Sequence, residues 1–340
     1  MLGIYFGSQT ISVAEIAGGK LAVLFQVPYS VVSSGDTLKE KFPEEIKIAN
    51  VLRDELKKNK VTSEEAVFSL SGKDIIIRNF DLPVIPNEEL DGAIKFEATK
   101  YIPFKPEELI YVFHSSVNKS SQRIYVLYAA IKKEVMEKYL YIANQIGLKL
   151  RGIEYSAFSI LRLLKLRRIK EKGVFCVMAI DATRNDEINL VVLENGFPLF
   201  SRDITLISDS TSFLKDREMI FDKIKREFRV SLDYYCIKHS FKAIEELFLI
   251  TEENYMADLG EFIKERKLSA KLINIKDYVR ADKLILSSLA AVKSYACALP
   301  KIKTRLKLDL LSAEDETLKK TQADRRDCLL YTSPRPRDLS

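Results

Sequence analysis

Side chains that titrate, attack or ligate are sparse and scattered in this chain. Of its 340 residues two are histidines, His114 and His239, and four are cysteines, Cys176, Cys236, Cys297 and Cys328. Neither histidine stands in the spacing of a catalytic triad or a metal set. The cysteines are too far apart for metal-ligand spacing or a disulfide framework. Three of them fall in apolar or helical stretches, where a small buried free thiol is the expected role, in keeping with a reducing compartment. The paired acids Glu64-Glu65 and Glu252-Glu253 read as helix or loop surface. One basic run, Arg162 to Lys170, has the charge to face anionic lipid or an acidic partner, although the solvated face of a helix is the simpler reading. No aromatic residues interleave with it as a nucleic-acid platform requires, and the net charge is only +6. The residue types alone therefore yield no enzyme site and no nucleic-acid surface.

The elements that would position a site are more informative. LGIYFG, ISVAEI and KLAVLFQV are three short β-rich runs. Gly7-Ser8-Gln9-Thr10 turns the chain between the first two, and Gly18-Gly19 makes a hairpin between the next two. The arrangement recurs as GVFCVMAID, EINLVVL and FPLFSRDI, with a polar turn over 182–186 and an Asn195-Gly196 hairpin. Two copies of strand, polar loop, strand, glycine hairpin and strand imply duplicated lobes. A helix is expected in IANVLRDELKKNKV, another begins at Asn87, and a third ends at Gly147. The pattern gives a first lobe over 1–76, completed by about 151–172 and part of the C-terminal region, an α+β insert over 77–150 packed beside the first lobe only, and a second lobe over 173–300. No run approaches the ~18 apolar residues of a membrane span. MLGIYFGS lacks the basic and apolar regions of a secretory signal.

Within the insert, Arg78-Asn-Phe-Asp-Leu82-Pro83, then Glu88-Glu89-Leu90, then Glu97-Ala98-Thr-Lys100-Tyr101-Ile102-Pro103-Phe104 resemble in order and spacing the signature of the type IV pilus assembly protein PilM family. Weaker similarity runs from Leu2 to about Asp309. The resemblance implies an α/β, actin-like fold, with ribonuclease H-like duplicated lobes and an α+β insert. It also implies a cytoplasmic scaffold, peripheral to the inner face of the inner membrane. Such a scaffold would hold a short peptide of a PilN-like membrane protein in a groove between first lobe and insert, and link it to the platform and motor of a pilus or secretion system. Arg78, Leu82, Pro83, Tyr101, Ile102 and Pro103 are the residues expected in or near that groove.

The resemblance also says where nucleotide machinery should lie. Actin-like ATPases cradle phosphates with glycine loops and orient Mg²⁺ with aspartates. The family's first loop, G-I-D-I-G-S-S-x-x-K, here reads Gly3-Ile4-Tyr5-Phe6-Gly7-Ser8-Gln9-Thr10-Ile11-Ser12, so the acid is Tyr5 and the lysine is Ser12. The second keeps Asp181 but has Ala182-Thr183 where D-I-G is expected, and the third has Thr251-Glu252-Glu253 in place of Ser-Gly-Gly. The degenerate loops around Gly7, Ser8, Gln9, Thr10, Asp181, Thr183, Glu252 and Glu253 lead to the expectation of no catalysis and no cofactor, with ATP and Mg²⁺ disfavoured. An ATP-binding actin-like protein is the alternative. A truncated relative of type II secretion protein L, or a PilM–PilN fusion, is another, because Leu308-Asp309-Leu310-Leu311 resembles the segment that precedes the membrane helix of PilN. The rival reading of that segment is a strand and helix that close the first lobe. Residues 301–324 read as a polar linker, and 325–340 as a non-native, adapter-like tail.

Overall fold

The computed structural model describes residues 1–32, 43–119, 121–166, 172–181, 187–206, 217–239, 243–251, 253–273, 288–299, 306 and 308–314. The first lobe opens with the meander β1 (Leu2–Phe6), β2 (Thr10–Ala17) and β3 (Lys20–Pro28), followed by one helical turn, α1 (Tyr29–Val32). Helix α2 (Pro43–Lys58) carries Glu44 and Glu45 in its first turn and Lys57 and Lys58 in its last, the charge order that suits the helix dipole. Strand β4 (Glu65–Leu70) then pairs parallel with β1.

The insert follows, with β5 (Ile76–Pro83), α3 (Asn87–Ala98), a 3-10 turn at Pro106–Glu108, β6 (Leu109–Asn118) and β7 (Arg123–Lys132). Its antiparallel sheet has the order β5-β7-β6. Phe80, Leu82, Ile94, Ala98, Ile102, Val126 and Tyr128 form a separate apolar core. The chain re-enters the first lobe through α4 (Lys133–Ile146), β8 (Lys149–Tyr155) and α5 (Ser156–Leu166). Gly147 ends α4 at φ 74°, a left-handed cap that glycine adopts at no steric cost.

The second lobe repeats the plan. Strands β9 (Val174–Asp181), β10 (Glu187–Glu194) and β11 (Phe197–Thr205) form a meander, α6 (Arg217–Lys238) follows, and β12 (Glu246–Ile250) pairs parallel with β9. Helix α7 (Glu253–Glu265) leads to β13 (Ala270–Leu272). The sheet orders β3-β2-β1-β4-β8 and β11-β10-β9-β12-β13 are the same topology, so the expected duplication is present. Both hairpins carry a register shift, at Glu15/Ile16 and at Val192/Leu193. Both turns hold two residues at positive φ, Gly18 and Gly19 in one and Asn195 and Gly196 in the other, which matches the primed turns of two-residue hairpins.

Last comes α8 (Leu289–Cys297), capped by Ser288, whose Oγ accepts from the Ala291 N–H at 3.3 Å. All nine of its residues are buried, because it lies across the first-lobe sheet and reaches β9 of the second. Gly3 in β1 makes this possible: a Cβ there would stand 2.0 Å from the Ser294 carbonyl oxygen.

Four expectations need correction. Helix α8, assigned to the second lobe over 173–300, packs mainly on β1, β2 and α5 of the first. Helix α4, assigned to the insert over 77–150, packs on α2, and its Met136, Ile142 and Ala143 belong to the main core with Phe6 and Phe68. The insert does not pack beside the first lobe only. Asn79 Nδ2 donates to the Pro198 carbonyl at 2.8 Å, Lys238 Nζ donates to the Asn79 carbonyl at 2.9 Å, and His114 stacks on Phe197. In the expected linker over 301–324, Leu308 and Leu310 are buried in the main core, and Asp309 Oδ1 accepts from the Ile153 N–H at 2.9 Å. That segment closes the first lobe at β8. The expected tail over 325–340 lies outside the described residues.

Candidate functional site

The meander of each lobe presents its turn side to the cleft, so residues at the ends of β1, β9 and β10 meet there. Tyr5, where the family's metal-facing acid is expected, is wholly buried. Its hydroxyl donates to Oε1 of Glu187, at the start of β10 in the opposite lobe. The same carboxylate takes an ion pair from Lys293, in the middle of α8. Lys293 Nζ also lies 3.2 Å from the Tyr5 oxygen and 4.7 Å from the centre of its ring. Burial, followed by the nearby charges of Glu187, Asp181 and Asp203, pushes the Tyr5 phenol well above its usual pKa, so it stays a neutral donor.

A second set of polar groups adjoins the first. Asp203 accepts from the hydroxyl of Tyr155, at the end of β8, and from Asn189 Nδ2 at 2.5 Å. Asp203 lies on the solvent-lined side of the cleft, while its carboxylate is crowded by first-lobe atoms: a Cβ on Gly72 would meet Oδ2 at 1.5 Å. Desolvation pushes its carboxyl up to about 6, against the lowering effect of its two hydrogen bonds. Asp181, opposite Glu187 in the β9–β10 register, is fully buried.

Of the expected nucleotide-loop residues, Gly7, Ser8 and Gln9 form the β1–β2 turn, where Gly7 N–H donates to the Thr10 carbonyl at 3.0 Å, and Thr10 is buried. Thr183 and Glu252 lie outside the described residues, and Glu253 opens α7. Glu187, Lys293, Tyr155 and Asp203 escaped the sequence reading because they come from separate elements. The one available signal was a lysine inside the otherwise small and apolar run LAAVKSYAC. Among the described residues, no group of three or more histidine, cysteine or acidic side chains could hold a metal.

The expected peptide groove residues divide into two sets. Leu82 and Ile102 are buried in the insert core, so they hold the insert together and are closed to a ligand. Arg78, Pro83, Tyr101 and Pro103 are exposed. Arg78 Nε donates to the Tyr101 carbonyl at 3.1 Å, and the Tyr101 ring stacks on Phe80 with centroids 5.7 Å apart. A cavity of about 480 Å³ lies elsewhere, between residues 114–119 at the end of β6 and the β10–β11 hairpin around Asn195. Strand β6 is an outer strand of the insert sheet, and Val117 there is exposed. Burial pushes His114, which lines the cavity, below the usual imidazole pKa.

The remaining candidates are structural. Arg162, first of the basic run, points inward to Glu154 and to the Ala296 carbonyl of α8, and residues 167–170 lie outside the described residues. Cys176 and Cys297 are buried free thiols, and Cys236 is a half-buried one. No described helix is long and apolar enough to cross a membrane.

Several solved structures are similar to this chain to different degrees. One, the PilM-PilN type IV pilus biogenesis complex, is similar over 89% of this chain and 98% of the matched chain, with a TM-score of 0.69 and 22% identity. Another is a Bacteroides thetaiotaomicron protein of actin-like ATPase fold, at 12% identity and a TM-score of 0.48 over 87% of this chain and 94% of that one. A third is the cytoplasmic domain of EpsL, an inner membrane component of the type II secretion system of Vibrio cholerae, at 9% identity and a TM-score of 0.48 over 91% and 97%. The duplicated sheets and the likeness to the PilM-PilN structure agree with the expected actin-like fold. The sequence model of the type IV pilus assembly protein PilM matches residues 3–209, more than half of the chain, and the chain belongs to that family.

Proposed function

We propose that this chain is a non-catalytic adaptor of type IV pilus assembly. It holds a short peptide of a PilN-like inner-membrane protein on the cytoplasmic side and links that protein to the pilus platform and motor. The observation that carries the non-catalytic reading is the buried Tyr5–Glu187–Lys293 cluster. A metal–nucleotide pair needs an anionic ligand for the metal and bare backbone for the phosphates. Where that ligand is expected the cleft instead offers the Tyr5 phenol, with an ammonium beside it already paired to Glu187, and this position does not suit the pair. The partner reading draws on family membership and on the solved complex of a PilM with a PilN.

The peptide has two surfaces to choose between, and the cavity beside β6 is favoured. It is concave, and the outer edge of β6 has no strand neighbour among the described residues, so an extended peptide has backbone partners there. Titration with Mg-ATP, followed by thermal unfolding and phosphate release, is expected to give no stabilisation and no turnover. A Kd near 1 μM, about −8 kcal/mol, would overturn the misfit at Tyr5, and release of phosphate would overturn the non-catalytic reading. An N-terminal peptide of the PilN-like protein is expected to bind by calorimetry. Val117→Arg should abolish that binding while Tyr101→Ala leaves it intact. The reverse pattern moves the site to the Tyr101 face, and no binding at all counts against the adaptor.

A further inference from the structure

A lysine at the centre of a helix with no exposed residue demands an explanation, since withdrawing an ammonium from water is costly unless an opposite charge and hydrogen bonds receive it. Lys293 has both, and they come from different lobes. Helix α8 is fastened to the first lobe: Ser294 Oγ lies 3.0 Å from Ser12 Oγ of β2, and Gln26 of β3 donates to Ser288. From that base Nζ reaches Glu187 of β10 in the second lobe, while Tyr5 of β1 donates to the same oxygen. Tyr155 of β8 and Asp203 of β11 repeat the pattern, with a first-lobe hydroxyl on a second-lobe carboxylate.

We propose that Lys293 is a built-in cation that holds the two lobes closed without any bound ligand. The inference rests on the non-catalytic reading of the cleft and adds how its closed form is maintained. Lobes that must open and shut with a ligand need that ligand to supply the cross-lobe contacts. Here the chain supplies them itself. Asp181 and Glu187 face each other across β9 and β10 with Asp203 beside them, so the acids concentrate on the second lobe and the cation arrives from the first. Removing the ammonium leaves Glu187 buried without a counter-charge, and the cleft must then admit water or part.

The test is hydrogen exchange on the full chain, read strand by strand, for the wild type, Lys293→Met, Glu187→Gln and the double variant. Both single variants are expected to speed exchange in β1 and β10 at least tenfold and to leave the insert strands β5 to β7 unchanged. The double variant should also exchange fast in β1 and β10, because no cation then bridges the lobes, and full recovery of protection overturns the proposal by reducing the pair to two charges that need only match each other. Adding Mg-ATP to the wild type should leave protection in β1 and β10 as it was. If Lys293→Met fails to accumulate as folded protein, the near-isosteric Glu187→Gln carries the same comparison. Wild-type protection in both single variants overturns the proposal while leaving PilN-peptide binding untouched. A rise in wild-type protection on adding Mg-ATP overturns it too, by giving the closing role to a ligand.

Discussion

Asp203 is the residue whose protonation state the cleft controls most directly. It faces Tyr155, Asn189, Glu187, Lys293 and the backbone of Gly72, and its pKa rises from an ordinary 3.8 to about 6. The folded form therefore holds this proton more tightly than the unfolded form, so the group opposes folding above pH 6 and that cost fades as pH falls toward 4. Because solvent reaches the residue, the gain between pH 7 and 5 is at most about 1 kcal/mol. Denaturant titrations at the two pH values should show it, and Asp203→Asn should remove it. At this scale the sequence revealed Tyr5, because it breaks a known loop pattern. It concealed Glu187, Asp203 and Lys293, because ordinary carboxylates and lysines acquire meaning only when separate elements bring them together, 106 residues apart for Lys293 and Glu187 and 48 for Tyr155 and Asp203.

At the scale of elements, the contact between α8 and β1 carries the greatest steric demand. Gly3→Ala would drive a methyl group into the helix backbone, and the helix, wedged between lobes, has nowhere to retreat. A loss of at least about 3 kcal/mol in unfolding free energy is expected. Gly92 in α3 provides the contrast, since nothing lies within 4 Å of its added Cβ. Gly92→Ala should stabilise by roughly 0.5–1 kcal/mol through helix propensity. Most elements were legible, since the glycine hairpins, the Asn87 start of α3 and the Gly147 stop of α4 are local signals. The allegiance of α4 was not, because an amphipathic pattern reveals that a face is buried without saying against which partner. The same holds for Leu308 and Leu310, whose apolar spacing suits a core strand edge as well as a docking peptide.

For the whole molecule, duplication was readable because each lobe repeats its turns in the same order, whereas the seat of the insert was not. Its link to the second lobe consists of a few side-chain and backbone bonds that leave no periodic trace, chiefly those around Asn79. Asn79→Ala removes the bond to Pro198 and is expected to raise hydrogen exchange in the β10–β11 hairpin. The strands β1, β4, β9 and β12 should stay as protected as in the wild type. Equal protection in the hairpin would mean that the Lys238 bond to the Asn79 carbonyl and the stacking of His114 on Phe197 suffice to seat the insert.

The position of α8 also bears on how this protein is made. Tyr5 and Lys293 are 288 residues apart, so the strand that starts the fold waits for almost the last helix to be synthesised. At bacterial elongation speeds that interval is roughly 15–60 s. The second lobe has every described strand of its sheet by Leu272 and can settle while the ribosome is still working, whereas the first lobe keeps an apolar sheet face uncovered until α8 emerges. The first lobe, whose opening strands are made before any of the second, is therefore the one whose sheet is covered later.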